Sequence, residues 1–306
     1  FAINPYMPSI LSLSNISKSY GRIQALKSVS FDVPAGSVFG ILGPNGSGKT
    51  TLLGVIMDVL KPGAGSFTWF EKEPSDQQRR SIGTLLETPN FYHYLSGQRN
   101  LQIAAGIKEK PKEDIERVMK LVRLYERRHS RFQAYSLGMK QRLAIASCLL
   151  GNPSVLVFDE PTNGLDPSGI AEIRELIIEL AKEGKTIILA SHLLSEVEKV
   201  CSHVAILQQG TLITSGSVKT VLSNEEWLEI RAGDIESLKN ILTGFSGIRK
   251  MERSDNALLL FFEGLTPDAG AINKFCFDHG VVLNHLQLRK KSLESEFITL
   301  TNNVSN

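Results

Sequence analysis

The sequence predicts an α/β protein: a core of mixed, mainly parallel sheet with an antiparallel β part and a helical subdomain, then a small α+β domain of ferredoxin-like order. Three observations predict it. Short strand patterns alternate with helical ones from Ser9 to about Ser223. One of those strands, Ser37 to Leu42, is apolar on both faces, as a strand inside a parallel sheet must be, and it runs straight into a glycine-rich loop and a helix. Beyond Ser223 the pattern changes to strand, helix, strand, strand, helix, strand.

In order along the chain, Ile10 to Asn15 and Ala25 to Val33 read as strands, followed by Ser37 to Leu42 and by a helix that Lys61-Pro62-Gly63 brings to an end. Further strands are expected at Ser66 to Phe70, Ile82 to Leu86, Val155 to Phe158, Thr186 to Ala190 and Val204 to Leu207. Between Phe91 and Leu150 strand signals vanish. Three amphipathic stretches, Gly97 to Gly106, Pro111 to Tyr125 and Met139 to Leu150, predict a helical subdomain over about 90–150. The second domain is read from Trp227 to Arg231, Ile235 to Leu242, Gly247 to Arg253, Ala257 to Phe262, Asp268 to His279 and Val281 to Leu288. A last helix carries Leu293, Phe297 and Leu300 on one face. The expected domains are therefore 9–223 and 224–306, with residues 1–8 an N-terminal extension or expression remnant.

Composition narrows the function. At 306 residues, 42% hydrophobic and 22% charged, the chain can bury a large core and still carry a second domain. Lys and Arg number 34 against 32 Asp and Glu, so there is no basic field to hold nucleic acid. No apolar run reaches the roughly 18 to 20 residues that cross a bilayer. Cys148, Cys201 and Cys276 lie far apart, without metal-site spacing, and read as buried thiols.

Gly43-Pro44-Asn45-Gly46-Ser47-Gly48-Lys49-Thr50 fits G-x-x-x-x-G-K-[ST] between a buried strand and a helix, so the core is that of a P-loop NTPase. The glycines let backbone N–H groups turn inward onto phosphate oxygens, and the helix adds its positive end. Lys49 would neutralise β- and γ-phosphate charge, the Thr50 hydroxyl would bind Mg²⁺, and Thr51 joins the nucleotide-binding set. Val155 to Phe158 leads into Asp159-Glu160, which puts two carboxylates at the carboxyl edge of the sheet. Alone, two such acids read as a strand leaving into solvent. Beside a phosphate loop, Asp159 becomes a carboxylate for Mg²⁺ and Glu160 the base for the attacking water.

Tyr135-Ser136-Leu137-Gly138-Met139-Lys140-Gln141-Arg142 resembles the signature of ABC transporter ATPases, usually written L-S-G-G-Q, and the resemblance to that family runs from about Leu11 to Ser223. Ser136 and Gly138 keep the pattern, while Leu137 and Met139 depart from it. Ser136 and the first amides of a helix can bind an anion; Ser136 also reads as a simple N-cap. The resemblance implies that His192 touches the γ-phosphate, that Asp166 in Asn163-Gly164-Leu165-Asp166 reaches a second subunit, and that adenine stacks on Tyr20. Read singly, these are a structural histidine, a turn before Pro167 and a core tyrosine. The resemblance further implies an ATPase with ATP and Mg²⁺ that forms a homodimer, each phosphate loop facing the partner's Ser136 and Gly138. It implies a separate integral membrane permease, and a place on the cytoplasmic face of the cell membrane.

Glu87 stands where most members of that family carry glutamine, and with the Tyr-Ser-Leu-Gly-Met signature it resembles the subset associated with efflux of antimicrobial peptides. A carboxylate there could join Thr50 and Asp159 on Mg²⁺; otherwise it is an exposed acid. Phe91-Tyr92-His93-Tyr94 is the expected seat for a permease helix, or else a packed cluster. The alternative is a soluble ATPase of the same family acting on a cytosolic assembly. Such chains typically carry two motif sets or a long coiled coil, and this sequence has neither.

Overall fold

A computed structural model describes residues 8–86, 90–222, 226–262, 268–290 and 292–302. These fall into two compact units, a larger one that takes the chain to Val221 together with the stretch from Thr299 on, and a smaller one from Leu222 to Ile298. The expected domain junction at Ser223–Asn224 lies outside the described residues, as do Phe1 to Met7.

The larger unit begins with β1 (Ser9–Tyr20), β2 (Ile23–Pro34), β3 (Val38–Leu42), α1 (Lys49–Ile56), β4 (Ala64–Trp69), α2 (Asp76–Arg80) and β5 (Ile82–Leu85). A helical part follows: α3 (Gly97–Ile107), α4 (Asp114–Leu121), two 3₁₀ turns and α5 (Leu137–Leu149). The chain then returns to the sheet through β6 (Val155–Asp159), α6 (Pro167–Lys182), β7 (Thr186–Ser191), α7 (Leu194–Val200), β8 (His203–Gln208), β9 (Thr211–Ser217) and α8 (Val218–Val221). Six strands lie in the order β5-β6-β7-β3-β8-β9, all parallel except β9, which turns back along β8. A three-stranded antiparallel sheet, β2-β1-β4, supplies the second layer.

Burial explains this arrangement. Every residue of β3 and of β7 is buried, so neither strand could sit at an edge. Leu11, Val33, Phe39, Ile41, Leu53, Ile56, Trp69 and Val157 pack in one cluster between the two sheets, with α1 running through it. Each fully buried aliphatic side chain contributes about 1.5–3 kcal/mol, and the polar end of Trp69 is satisfied by donating to Ile56 O at 2.8 Å. In the helical part Asn100 is buried, and its amide bonds Tyr92 N and Tyr92 O at 2.8 and 3.1 Å, fixing the aromatic segment over α3. The Cys148 thiol donates to Thr84 O at 3.1 Å, which ties α5 to β5. Burial pushes that thiol up to about 11, so it stays protonated at neutral pH.

The smaller unit contains β10 (Glu226–Ala232), α9 (Ile235–Leu242), β11 (Ile248–Ser254), β12 (Ala257–Phe262), α10 (Ala269–Asp278), β13 (Leu283–Lys290) and the first part of α11 (Leu293–Asn302), whose residues from Thr299 group with the larger unit. Its sheet order, β11-β12-β10-β13, is antiparallel throughout and is that of a split βαβ pair. Leu228, Ile230, Leu258 and Leu260 face Leu238, Leu242, Ile272 and Cys276 of the two helices. Asp234 and Asp268 cap those helices through their carboxylates. Among the described residues, no helix is long and apolar enough to cross a membrane.

Candidate functional site

The loop between β3 and α1 is shaped by what presses on it. Gly43 has φ +155°, and a Cβ there would sit 2.3 Å from Leu207 O; at Gly48, φ +105°, it would sit 2.6 Å from Ala25 O. Only glycine fits either place. The turn between β8 and β9 props the loop from behind, Gly210 N donating to Ser47 O at 3.0 Å and Lys27 N to Gly210 O at 2.8 Å. Lys49, at the first position of α1, is buried, and its Nζ donates to Gly43 O at 2.8 Å and Pro44 O at 3.3 Å. The Ser47 hydroxyl is buried without a hydrogen-bond partner among the described residues.

This loop is one wall of a cleft of about 470 Å³ that also contains Thr50, Thr51 and Glu160. The opposite wall includes Ile23, Gln24, Lys27 and Gln209, which no motif announces. They come from a hairpin and a turn that only the stacking of the two sheets brings to the cleft. Tyr20 ends β1 at 47% exposure, with Lys18 Nζ 5.6 Å from its ring centroid. It does not line the cleft, whereas Ile23 and Gln24 of the same hairpin do.

At the end of β6 the chain delivers both acids. Asp159 Oδ1 is buried without a partner among the described residues. Burial pushes the Asp159 carboxyl above the usual carboxylate range; the Thr50 hydroxyl opposes this, and the neighbouring Glu160 charge adds to it. An oxygen left bare in that setting, beside a hydroxyl, suits a hard cation. Glu160 takes φ +46°, strained for a residue with a Cβ, and is held there by its amide donating to Ala190 O at 3.0 Å. The turn aims its carboxylate back into the cleft. Oε1 lies 3.4 Å from Lys49 Nζ, and Oε2 lies 2.9 Å from Nδ1 of His192, just past β7. The structure therefore brings Lys49, Thr50, Asp159, Glu160 and His192 together, from three neighbouring strands.

Ser136, Gly138 and Asp166 lie elsewhere and do not line this cleft. Ser136 caps α5, its hydroxyl accepting from Met139 N at 3.3 Å, and Asp166 caps α6 by accepting from Gly169 N at 3.0 Å. The two caps are neighbours: Gly164 lies against Leu137, and the nearest atom to a Cβ built on Gly138 is Gly169 Cα, at 4.0 Å. Leu137, which departs from the signature, is 47% exposed. Glu87 lies outside the described residues. Beyond it, the aromatic run divides: Phe91 and His93 pack on Phe132 at 5.3 and 5.7 Å between centroids, while Tyr92 and Tyr94 stand exposed. Phe91 and Tyr92 help line a second groove of about 390 Å³ with Ile103, Ile107 and Lys108.

A family profile described as ABC transporter matches residues 26–163. The chain is 36% identical, over 95% of both chains, to YdbJ of Bacillus subtilis, an uncharacterised ABC transporter ATP-binding protein. It is 33% identical to BcrA of Bacillus licheniformis, a bacitracin transport ATP-binding protein, over 96% of this chain and 98% of that one. Among solved structures, cbiO1 from Clostridium perfringens, part of the ABC transporter complex cbiONQ, superimposes with a TM-score of 0.65 at 29% identity, covering 78% of this chain and 96% of that one. With the phosphate loop, the acid pair and this similarity along its length, the chain belongs to the ABC transporter family, as an ATP-binding subunit that hydrolyses ATP.

Proposed function

We propose that two copies of this chain close head to tail around two ATP molecules and so drive a separate membrane permease, as an exporter on the cytoplasmic face of the membrane. The observation that carries the reading is Glu160, whose carboxylate meets His192 at 2.9 Å and Lys49 at 3.4 Å inside the phosphate-loop cleft.

Lys49 and the loop amides of Gly46 to Thr50 bind the β- and γ-phosphates, and Thr51 the phosphate next to them. The adenine stacks on Tyr20, with Ile23 and Gln24 along its edge. Thr50 and Asp159, with Glu87, would hold Mg²⁺, which would supply positive charge beside the phosphates. Glu160 orients the water and takes its proton, and His192 keeps the carboxylate aimed while its other ring nitrogen faces the γ-phosphate.

Dimerisation follows from what one chain lacks. Ser136 and Gly138 are away from their own cleft, and the open space at Gly138 gives it no role in packing its own chain. A glycine at the positive end of a helix is a place where a phosphate can come close. Asp166, beside it, meets the partner at the same junction.

The permease seats a cytoplasmic helix in the groove between Tyr92, Ile103 and Ile107, where Tyr92 and Ile107 are exposed. Likeness to a bacitracin transport protein along nearly the whole chain supports an antimicrobial peptide or similar amphiphile as cargo. The experiment is affinity purification of the tagged chain from detergent-solubilised cells. A polytopic membrane protein that raises ATP turnover on reconstitution supports the reading; ribosomes or DNA in its place would overturn it.

A further inference from the structure

One charged pair lies outside the nucleotide cleft yet at the root of the two residues that meet in it. Arg174 on α6 places Nη1 2.7 Å from Oε2 of Glu196 on α7, and Lys199 places Nζ 2.7 Å from Oε1 of the same carboxylate. Both oxygens of Glu196 therefore face a cation. The Arg174 and Glu196 side chains are only 29% and 21% exposed, which shields the pair from salt more than an ordinary surface bridge.

Beneath the pair the chain is packed from two directions. Pro161 and Thr162, which directly follow Glu160, meet Leu189 and Ser191, which directly precede His192, in a small cavity whose remaining walls include Val197 of α7. The segments carrying Glu160 and His192 thus share one floor, and Arg174 and Glu196 bridge over it. His192 itself is not in a helix. The chain after it is held to α7, because Glu196 N and Val197 N both donate to Leu193 O at 3.2 Å, while Leu193 N donates back to Ser191 Oγ at 3.0 Å. The seat of the imidazole consequently follows the seat of α7, and the Arg174–Glu196 pair is a charged tie between α7 and its neighbour α6.

We infer that Glu196 and Arg174 are positioning residues for His192: by fixing α7 against α6 they set where the imidazole meets the Glu160 carboxylate. The inference rests on the proposed role of His192. A displacement of a catalytic contact by about an ångström costs up to ~10²-fold in rate, and a hydrogen-bonded pair at this distance can prevent such a shift.

A double-mutant cycle tests it in the full chain, with single-turnover ATP hydrolysis at excess protein and with nucleotide affinity measured separately. Glu196→Gln should slow hydrolysis about tenfold, with affinity for Mg-ATP within about twofold of the parent. In a His192→Ala background the same change should have no further effect, because the group it positions is gone. Arg174→Gln is the second variant, and its effect should vanish in that background as well; melting curves of all variants show which remain folded. Equal slowing by Glu196→Gln with and without His192, or no slowing at all, overturns the inference while leaving the role of His192 standing. A His192→Ala chain that hydrolyses at the parental rate overturns that role, and the inference with it.

Discussion

His192 Nδ1 lies 2.9 Å from Glu160 Oε2, so an ionised Glu160 accepts a hydrogen bond from the ring and the imidazole carries its proton on that side. The bond joins residues 32 positions apart and holds the carboxylate in the cleft with Lys49 on its other oxygen. Glu160→Gln keeps the shape and loses the base. Turnover should fall by about 10²–10⁴-fold with ATP binding retained, and ATP-bound dimers should accumulate on a sizing column. Hydrolysis at the parental rate would remove Glu160 from the chemistry.

Gly138 offers the plainest separation of fold from assembly. A Cβ there meets nothing nearer than Gly169 Cα at 4.0 Å, and replacing a helical glycine with a better helix former is favourable by up to about 1 kcal/mol. Gly138→Leu should therefore melt at or slightly above the parental temperature, and bind ATP, yet fail to dimerise or turn over. A variant that assembles and hydrolyses normally would refute contact across the dimer.

Asp159 predicts a trade of stability against function. Burial raises its folded pKa above the unfolded value, opposed by the Thr50 hydroxyl and reinforced by Glu160. A raised carboxyl pKa costs stability at every pH above the unfolded value and ceases to do so once both states are protonated. Asp159→Asn should therefore raise the melting temperature at pH 7, with the gain disappearing as the pH falls below the unfolded-state carboxyl range. Mg²⁺-dependent tightening of ATP binding should be lost, measured with and without a chelator. A lower melting temperature at pH 7 would mean that the Thr50 and Lys49 interactions outweigh burial.

In the proposed function Glu87 joins Thr50 and Asp159 on Mg²⁺. Glu87→Gln should change turnover or transport several-fold without abolishing nucleotide binding, measured in the assembled transporter. Unchanged activity would make it an exposed acid.

Much of the architecture was legible along the chain. β12 was expected over Ala257 to Phe262 and α9 over Ile235 to Leu242, and both run between those residues, because a short continuous apolar run and an Asp cap are local signals. β9 was not expected. Thr211 to Ser217 is polar and only partly buried, and it is a strand because β8 beside it presents an open edge. The site divides the same way. Lys49, Thr50, Asp159 and Glu160 declared themselves by spacing, since a phosphate grip needs those residue types in that order. Lys27, in β2, and Gln209, in the turn between β8 and β9, did not, since each reaches the cleft only through the stacking of one sheet on the other.

By itself, then, the order of residues determined which backbone curls around phosphate and which carboxylates end the strand beside it, for these depend on contacts between near neighbours in the chain. Tertiary structure alone decided that His192 would meet Glu160, that Ser136 and Gly138 would stand away from their own cleft, and that Arg174 would reach Glu196. Those distances depend on how the strands are ordered side by side, and burial of β3 and β7 on both faces selects that order.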